Sequence, residues 1–417
     1  MNHFRTALVT VGSAATVVAG LSVPATTVAA SPPPPATAVT DWASLALSTV
    51  YPARSVPDGA LYLGFTSLAV YDAVMTATRG NPRHGRASAP AAAAVAAHDV
   101  LETYFPAAEM TLAGALTADL AAIPDSPAKT RGMSIGAAAA DEMIASRVGD
   151  GRNAAIFYTK EPAIGIWRPT LPNEAPMALP WFGHVKPLLL SSPTQITPDG
   201  PDALTSSAYA ADYNEVRVIG SDTGSPRSQA ETATAEFYNA NVNLQVQRAL
   251  LTHLASEPLG LIETARLFAL VNASVADALI TTWRLKLDVG YWRPLTAIHF
   301  GDADGNPGTT GDESWVPLAN SLTSTPAGNP PYPEYPSGHA SVVNAFAESY
   351  RLTMGTDATD LTLPGPAGAT KHYTSVDDLS DDALIARIWL GIHFRDAMED
   401  ALYIGEMAAR LADSRLP

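Results

Sequence analysis

Apolar residues recur at helical spacing along most of the chain. Between Ala60 and Arg79, the positions Leu61, Leu63, Phe65, Leu68, Tyr71 and Val74 predict one amphipathic helix. Ala91–Tyr104 is Ala-rich and also reads as a helix, followed by Glu109–Ala122 and Ala128–Val148. Gly149-Asp150-Gly151 then supplies a turn that stops the last of these. From Tyr158 to Gly224 the periodicity fades and prolines recur at 162, 169, 172, 176, 180, 187, 193, 198 and 201. A loop of this length wraps a surface or lines a site. Helical spacing returns over Ser228–Leu254 and Leu259–Asp288. Gly301–Pro336 is again rich in Gly and Pro, and His339–Gly355 and Asp381–Ser414 are the final helices. Alternating strand patterns are scarce and no short-period repeat appears. The expected fold class is all-α, a helical bundle with long Pro/Gly-rich loops.

Composition narrows this picture. The chain has 417 residues and 47% hydrophobic content, enough for one large or two closely packed domains around a sizeable core. Residues 1–30 read as an export signal: Arg5 in a short basic head, an apolar run from Ala7 to Val23, and small residues at Val28-Ala29-Ala30. A membrane anchor is disfavoured, because the run is short and holds Thr, Ser and Gly. Residues 31–40 read as a Pro-rich spacer, 41–225 as an N-terminal helical part and 226–417 as a C-terminal helical part. The expected location is extracellular. No membrane span is expected later, since Leu259–Trp283 carries Glu263, Arg266 and Asp277. There is no cysteine, so disulfides, thiolate catalysis and thiolate metal sites are excluded. Net charge is −16, which argues against nucleic acid and anionic membranes as partners. It also makes any local gathering of cations informative.

Three such gatherings occur. Lys286 and Arg293 are seven residues apart, so on a helix they point to one side, and Pro294 stops a helix there. Two cations on one apolar face repel unless an anion sits between them; the plainer reading is a pair of snorkelling surface side chains. Next, the Pro-rich Tyr332–Pro336 loop ends in Ser337-Gly338-His339 before an apolar helix. Free backbone N–H groups, a positive dipole end and the Ser337 hydroxyl suit an anion. Gly338 allows close approach, and His339 can act as acid or base. The plainer reading is a Ser N-cap beside an incidental His. Last, Arg387 and His393 lie in the apolar stretch Arg387–Arg395. Arg387 is hard to bury without an anionic partner. Their six-residue spacing does not put both on one helical face, so they can share a ligand only if the helix bends or ends there. Taken singly, His393 reads as a satisfied core histidine. Together, three cations, neutral donors and two imidazoles suit a tetrahedral oxyanion.

These motifs resemble those of the vanadium-dependent haloperoxidase and acid phosphatase superfamily: Lys-x6-Arg-Pro, then Pro-Ser-Gly-His, then Ser-Arg-x5-His. Here they read Lys286 to Pro294, Pro336 to His339, and Arg387 to His393. Asp72-Ala73-Val74 and Arg266–Pro294 extend the likeness toward the bacterial haloperoxidase-like branch. The resemblance implies vanadate as cofactor, with His393 as the vanadium ligand. Lys286, Arg293, Arg387, Ser337 and Gly338 would hold the oxygens, with His339 as acid/base. It also implies hydrogen peroxide and halide as substrates, with Lys286 polarising the peroxide. Hypohalite is the product, passed to a small organic acceptor. Trp283 and Tyr332 would line the halide pocket, with bromide or iodide favoured. Two positions depart from the pattern. Ala386 stands where the family often has Ser before the arginine. Ala397 stands where it often has Asp, four residues after the ligand histidine. A metal-bound His normally has an acceptor that fixes its tautomer, and here a backbone carbonyl is one source.

Two alternatives are weighed. A phosphatase of the same superfamily would treat phosphate as a substrate group, with His393 forming a phospho-histidine and His339 protonating the leaving group. Trp283 and the long N-terminal helical part lean against it. A non-catalytic oxyanion-binding protein would need only donors, not two histidines. The oligomeric state is not read from these residues. The Asp302–Glu313 stretch does not complete a calcium loop and is read as turn chemistry.

Overall fold

The computed structural model describes residues 36–79, 86–169, 174–322 and 328–416. The export segment expected over 1–30 and the first half of the spacer, 31–35, lie outside these residues. Fourteen α-helices occur among the described residues. The N-terminal ones are α1 (Thr37–Val50), α2 (Val56–Arg79), α3 (Ala89–Tyr104), α4 (Glu109–Ala122) and α5 (Pro127–Ser146). Then come α6 (Ser207–Ile219), α7 (Gln229–Phe237), α8 (Val242–Ser256), α9 (Leu261–Val289), α10 (Pro294–His299) and α11 (Leu318–Ser321). The last are α12 (Gly338–Met354), α13 (Val376–Trp389) and α14 (Arg395–Asp413). A hairpin, β1 (Ala358–Pro364) with β2 (Thr370–Ser375), pairs antiparallel with Leu361 opposite Tyr373. The all-α bundle is what the periodicity predicts, with this hairpin as its one sheet among the described residues.

Several boundaries differ from the sequence reading, each for a local reason. Helix α1 begins at Thr37, inside the stretch expected to be spacer. Helix α6 interrupts the expected irregular segment; Ser206 caps it by accepting from the Tyr209 N–H at 3.0 Å. The helix expected over Ser228–Leu254 is two helices, because Asn241 caps a fresh start by accepting from the Leu244 N–H at 3.0 Å. The helix expected over Asp381–Ser414 is also two, with a turn at residues 390–394.

Helix α9 is the central element and packs on α2, α12 and α14. By length and composition, α2 and α9 could each cross a bilayer, yet both are spent on the core. Phe65, Leu267, Leu270, Val271, Leu279 and Ile280 are buried there. Each such side chain contributes roughly 1.5–3 kcal/mol. Helix α9 also anchors the Pro-rich segment. The buried Asp277 carboxylate accepts from the N–H groups of Leu188, Leu189 and Leu190 at 2.6, 2.8 and 2.8 Å. These three bonds offset the cost of burying a carboxyl group. The same segment reaches the C-terminal end of α9, where the Trp167 N–H donates to the Gly290 carbonyl at 2.8 Å. It therefore both wraps α9 and borders the site below.

Candidate oxyanion site

Four stretches of chain converge: the end of α9 with the turn into α10, the 332–337 loop, the start of α12, and the turn after α13. Lys286 is fully buried in the last turn of α9. Its Nζ donates to the carbonyls of Pro333, Glu334 and Pro336 at 2.8, 2.9 and 2.5 Å. Three acceptors require three N–H donors, which only the ammonium form supplies. Burial, and then Arg293, lower its pKa well below the ordinary lysine value. Those three bonds oppose that shift. Lys286 thus ties the loop to α9, rather than offering the free hydrogen bond expected of it.

Arg293 is fully buried at the start of α10. Its Nε donates to the Tyr332 carbonyl at 3.1 Å. Its Nη1 donates to the Ile392 carbonyl at 2.8 Å and to His393 Nε2 at 3.3 Å. Its Nη2 has no partner. Arg387, near the end of α13, donates from Nη1 to the Tyr238 carbonyl at 3.1 Å, and its buried Nε has no partner. Burial pushes its pKa down to about 10. It remains a cation at neutral pH, with donors left over.

Ser337 precedes α12 with extended backbone, yet its side chain makes no capping bond, and its buried Oγ has no partner. The plain N-cap reading therefore fails. Hydroxyl and helix end together remain as an unused donor set. Gly338 sits hard against Trp283: a Cβ there would lie 3.2 Å from the indole ring. Trp283 in turn packs against Tyr332 in a tilted arrangement, with ring centroids 5.1 Å apart. The Tyr332 ring lies 5.0 Å from Lys286 Nζ and 5.1 Å from the Arg293 guanidinium carbon. The two aromatics wall the cations in.

The histidines approach from two sides. His339 Nε2 donates to the Ala240 carbonyl at 3.1 Å. That fixes Nδ1 as its other, proton-accepting nitrogen. Burial, then Arg387, Arg293 and Lys286, hold its pKa well below the ordinary value, so it is neutral at pH 7. His393 is buried in the turn where α13 has ended. That turn needs Gly391, whose φ is +75° and where a Cβ would meet the Gly220 carbonyl oxygen at 2.5 Å. The helix end is what brings His393 within reach of the Arg387 charge.

Sequence reasoning missed two features. Glu334 is fully buried, and its Oε1 lies 2.7 Å from His393 Nδ1 and 3.1 Å from the Phe394 amide. Burial pushes its carboxyl up to about 8, against the pull of Arg293 and Lys286. A lone acid between Pro333 and Pro336, in a loop of aromatics, was the available signal. The other is the break between α7 and α8. Its Tyr238 and Ala240 carbonyls orient Arg387 and His339, and the Asn residues at 239 and 241 mark it. The Asp302–Glu313 stretch is turn chemistry, as expected. The Asp304 carboxylate is taken by the Asn306 N–H at 2.8 Å and the Thr309 hydroxyl at 2.9 Å.

The gathered motifs agree with comparison to known proteins. Residues 266–416 match the model of the VCPO second helical-bundle domain. The matched part holds all three motifs, Lys286 to Pro294, Pro336 to His339 and Arg387 to His393. The chain is 26% identical over 279 residues to vanadium chloroperoxidase of Curvularia inaequalis. That alignment covers 52% of this chain and 45% of the relative, so the chain spans under half of that superfamily member's length. The fold is similar to that of the first bacterial vanadium-dependent iodoperoxidase, with a TM-score of 0.74 at 18% identity. The match covers 91% of this chain and 96% of that one. The holo form of a bacterial vanadium-dependent chloroperoxidase gives 0.67 at 18% identity, covering 87% and 93%. A tetrahedral oxyanion fits the residues present. Arg293 Nη2, Arg387 Nε and Ser337 Oγ are buried polar atoms without protein partners, and all belong to the three motifs.

Proposed function

We propose that the pocket binds vanadate and that the chain oxidises halide with hydrogen peroxide, bromide and iodide before chloride. The observation that carries this reading is that Arg293 Nη2, Arg387 Nε and Ser337 Oγ are buried without protein partners, while the charges of Arg293, Lys286 and Arg387 all act on His393, whose Nε2 lies 3.3 Å from Arg293 Nη1. Arg293, Arg387, Ser337 and the start of α12 would hold the oxygens, and His393 Nε2 would be the metal ligand. Bound vanadate supplies Lewis-acid activation of peroxide without changing oxidation state. Lys286 contributes its charge while its hydrogen bonds hold the loop. His339, tied through Nε2 to Ala240, exchanges a proton at Nδ1. Trp283 and Tyr332 keep bulk water from the cations, which strengthens their field. In the net reaction, halide, peroxide and one proton give hypohalous acid and water: the halide loses two electrons, the O–O bond breaks, and the proton goes to the departing hydroxide. An extracellular setting, read from the N-terminal segment, belongs to this proposal.

Phosphate suits the same donors, and a neutral His393 with a free Nε2 is the nucleophile a phosphatase needs. The test is phosphate-free protein, assayed for halide-dependent peroxide consumption with and without vanadate, beside phosphomonoester hydrolysis. Vanadate-dependent halide oxidation is the expected result. Ester hydrolysis with no halide oxidation would assign the phosphatase reading instead.

A further inference from the structure

We infer that Glu334 is the positioning residue for His393, taking the place of the carboxylate that the family pattern puts at position 397. This rests on the oxyanion reading above.

Donor and acceptor chemistry alone fixes the tautomer. Glu334 Oε1 lies 3.1 Å from the Phe394 backbone nitrogen. A peptide N–H can only donate, so Oε1 is an acceptor in that bond. If the carboxyl carries a proton, acceptor strength places it on Oε2, because the carbonyl-type oxygen of a carboxylic acid accepts far better than its hydroxyl oxygen. The same Oε1 lies 2.7 Å from His393 Nδ1, so Nδ1 must be the donor. The other ring nitrogen gives the same answer independently. Arg293 Nη1 lies 3.3 Å from His393 Nε2, and a guanidinium can only donate. Nε2 therefore carries the lone pair. Both contacts select one tautomer, with Nδ1 protonated and Nε2 free to bind an electrophile. A metal-binding histidine needs that state, and a carboxylate on the far nitrogen is the usual way to hold it.

The position matters as much as the bond. Glu334 sits between Pro333 and Pro336, and Lys286 clamps the carbonyls on both sides of it. A carboxylate on a loose loop would pay entropy to stay in place; this one is held before any ligand arrives. Ala397, where the pattern has Asp, lines the same small cavity as Glu334. The two positions therefore reach one space from different segments, and a carboxylate can be supplied from either.

Four variants test this: E334Q, E334D, E334A and the double variant E334A/A397D. Thermal melts first establish that each is folded. Long-range nitrogen–proton NMR of the histidine rings, on ligand-free protein, reads the tautomer. Titration calorimetry with orthovanadate on phosphate-free protein reads affinity. E334A should lose the fixed Nδ1–H tautomer and bind vanadate about 10- to 100-fold more weakly. E334Q should keep the tautomer, because its amide oxygen accepts as Oε1 does, and should lose less affinity. E334D and E334A/A397D should recover tautomer and affinity toward wild type. Unchanged tautomer and affinity in E334A would overturn the assignment, as would a double variant no better than E334A. Wild-type protein that binds no vanadate would instead sink the oxyanion reading. The NMR arm would still decide whether Glu334 sets the tautomer.

Discussion

The pocket around His393 and the small cavity lined by Asp202, Asp212 and Asp396 share one wall residue, Glu334, and gather ionisable groups of opposite kind, bases in one and acids in the other. Their chemistry differs in one respect. On the cation side, Arg293 and Arg387 cannot shed their charge at any ordinary pH, and each keeps a buried donor without a partner. On the acid side, burial first and neighbouring carboxylates second push Asp212 up to about 6 and Asp396 to about 7. Those groups relieve their repulsion by holding protons. Crowded arginines must be matched by a ligand, whereas crowded aspartates can match themselves. The comparison explains why the arginine pocket reads as a binding site. The Asp199, Asp396 and Asp400 cluster, although its ligand atoms approach closely, does not by itself.

The largest effects should come from breaking the cation side. His393→Ala removes the ring nitrogen that lies beside Arg293 Nη1, so retention of vanadate after gel filtration should vanish. His339→Ala leaves the donors intact. It should bind within about tenfold of wild type yet lose roughly 10²–10⁴ in halide oxidation, the usual worth of a general acid–base group. Wild-type activity in both would mean the site lies elsewhere. Lys286→Met comes next. It strips the donor from three buried carbonyls and should cost roughly 3–5 kcal/mol in urea unfolding. A loss under 1 kcal/mol would show that the loop does not depend on that ammonium.

At the boundary, Gly391→Ala forces a side chain into positive φ and toward the Gly220 carbonyl and Pro317. About 2–3 kcal/mol of stability should be lost. Vanadate affinity should fall with it, since the same turn carries His393. Lost stability with unchanged affinity would separate the turn from the site.

How much of this was readable in the chain follows from which interactions are local. The apolar spacing of Leu61, Phe65 and Leu68 is a property of consecutive residues, so α2 was legible. The requirement that the helix end between Arg387 and His393 was legible from six-residue spacing alone, and α13 does end there. Glu334 was not legible as the partner of His393, because 59 residues separate them and only the fold closes that distance. The break at residues 238–241 was masked by apolar spacing that runs through it, while the Asn241 cap wins locally. Helix α6 was hidden by the prolines around it, although Ser206 was present to start it. In each miss a cap or a distant contact overrode the local pattern.

The smallest effect probes the acid side and has a definite sign. Asp396 is raised from its ordinary 3.8 to about 7 in the folded chain. Between those values the folded form binds the proton more than the unfolded form does. Stability is therefore lost as pH rises from about 4 to 7. Asp396→Asn fixes the side chain in a neutral state of the same shape, and its amide oxygen can still accept the Asp202 N–H, now 3.3 Å from Oδ2. The variant should match wild type near pH 4 and exceed it at pH 8. The gain should be about 1 kcal/mol or less, because the group is half-exposed and water screens it. Thermal melts of both proteins across that range read the difference directly. A difference that stays flat with pH, or a less stable variant at pH 8, would show that Asp396 is held as a charged group by a cation. The acid cavity would then be the mirror image of the arginine pocket rather than its opposite.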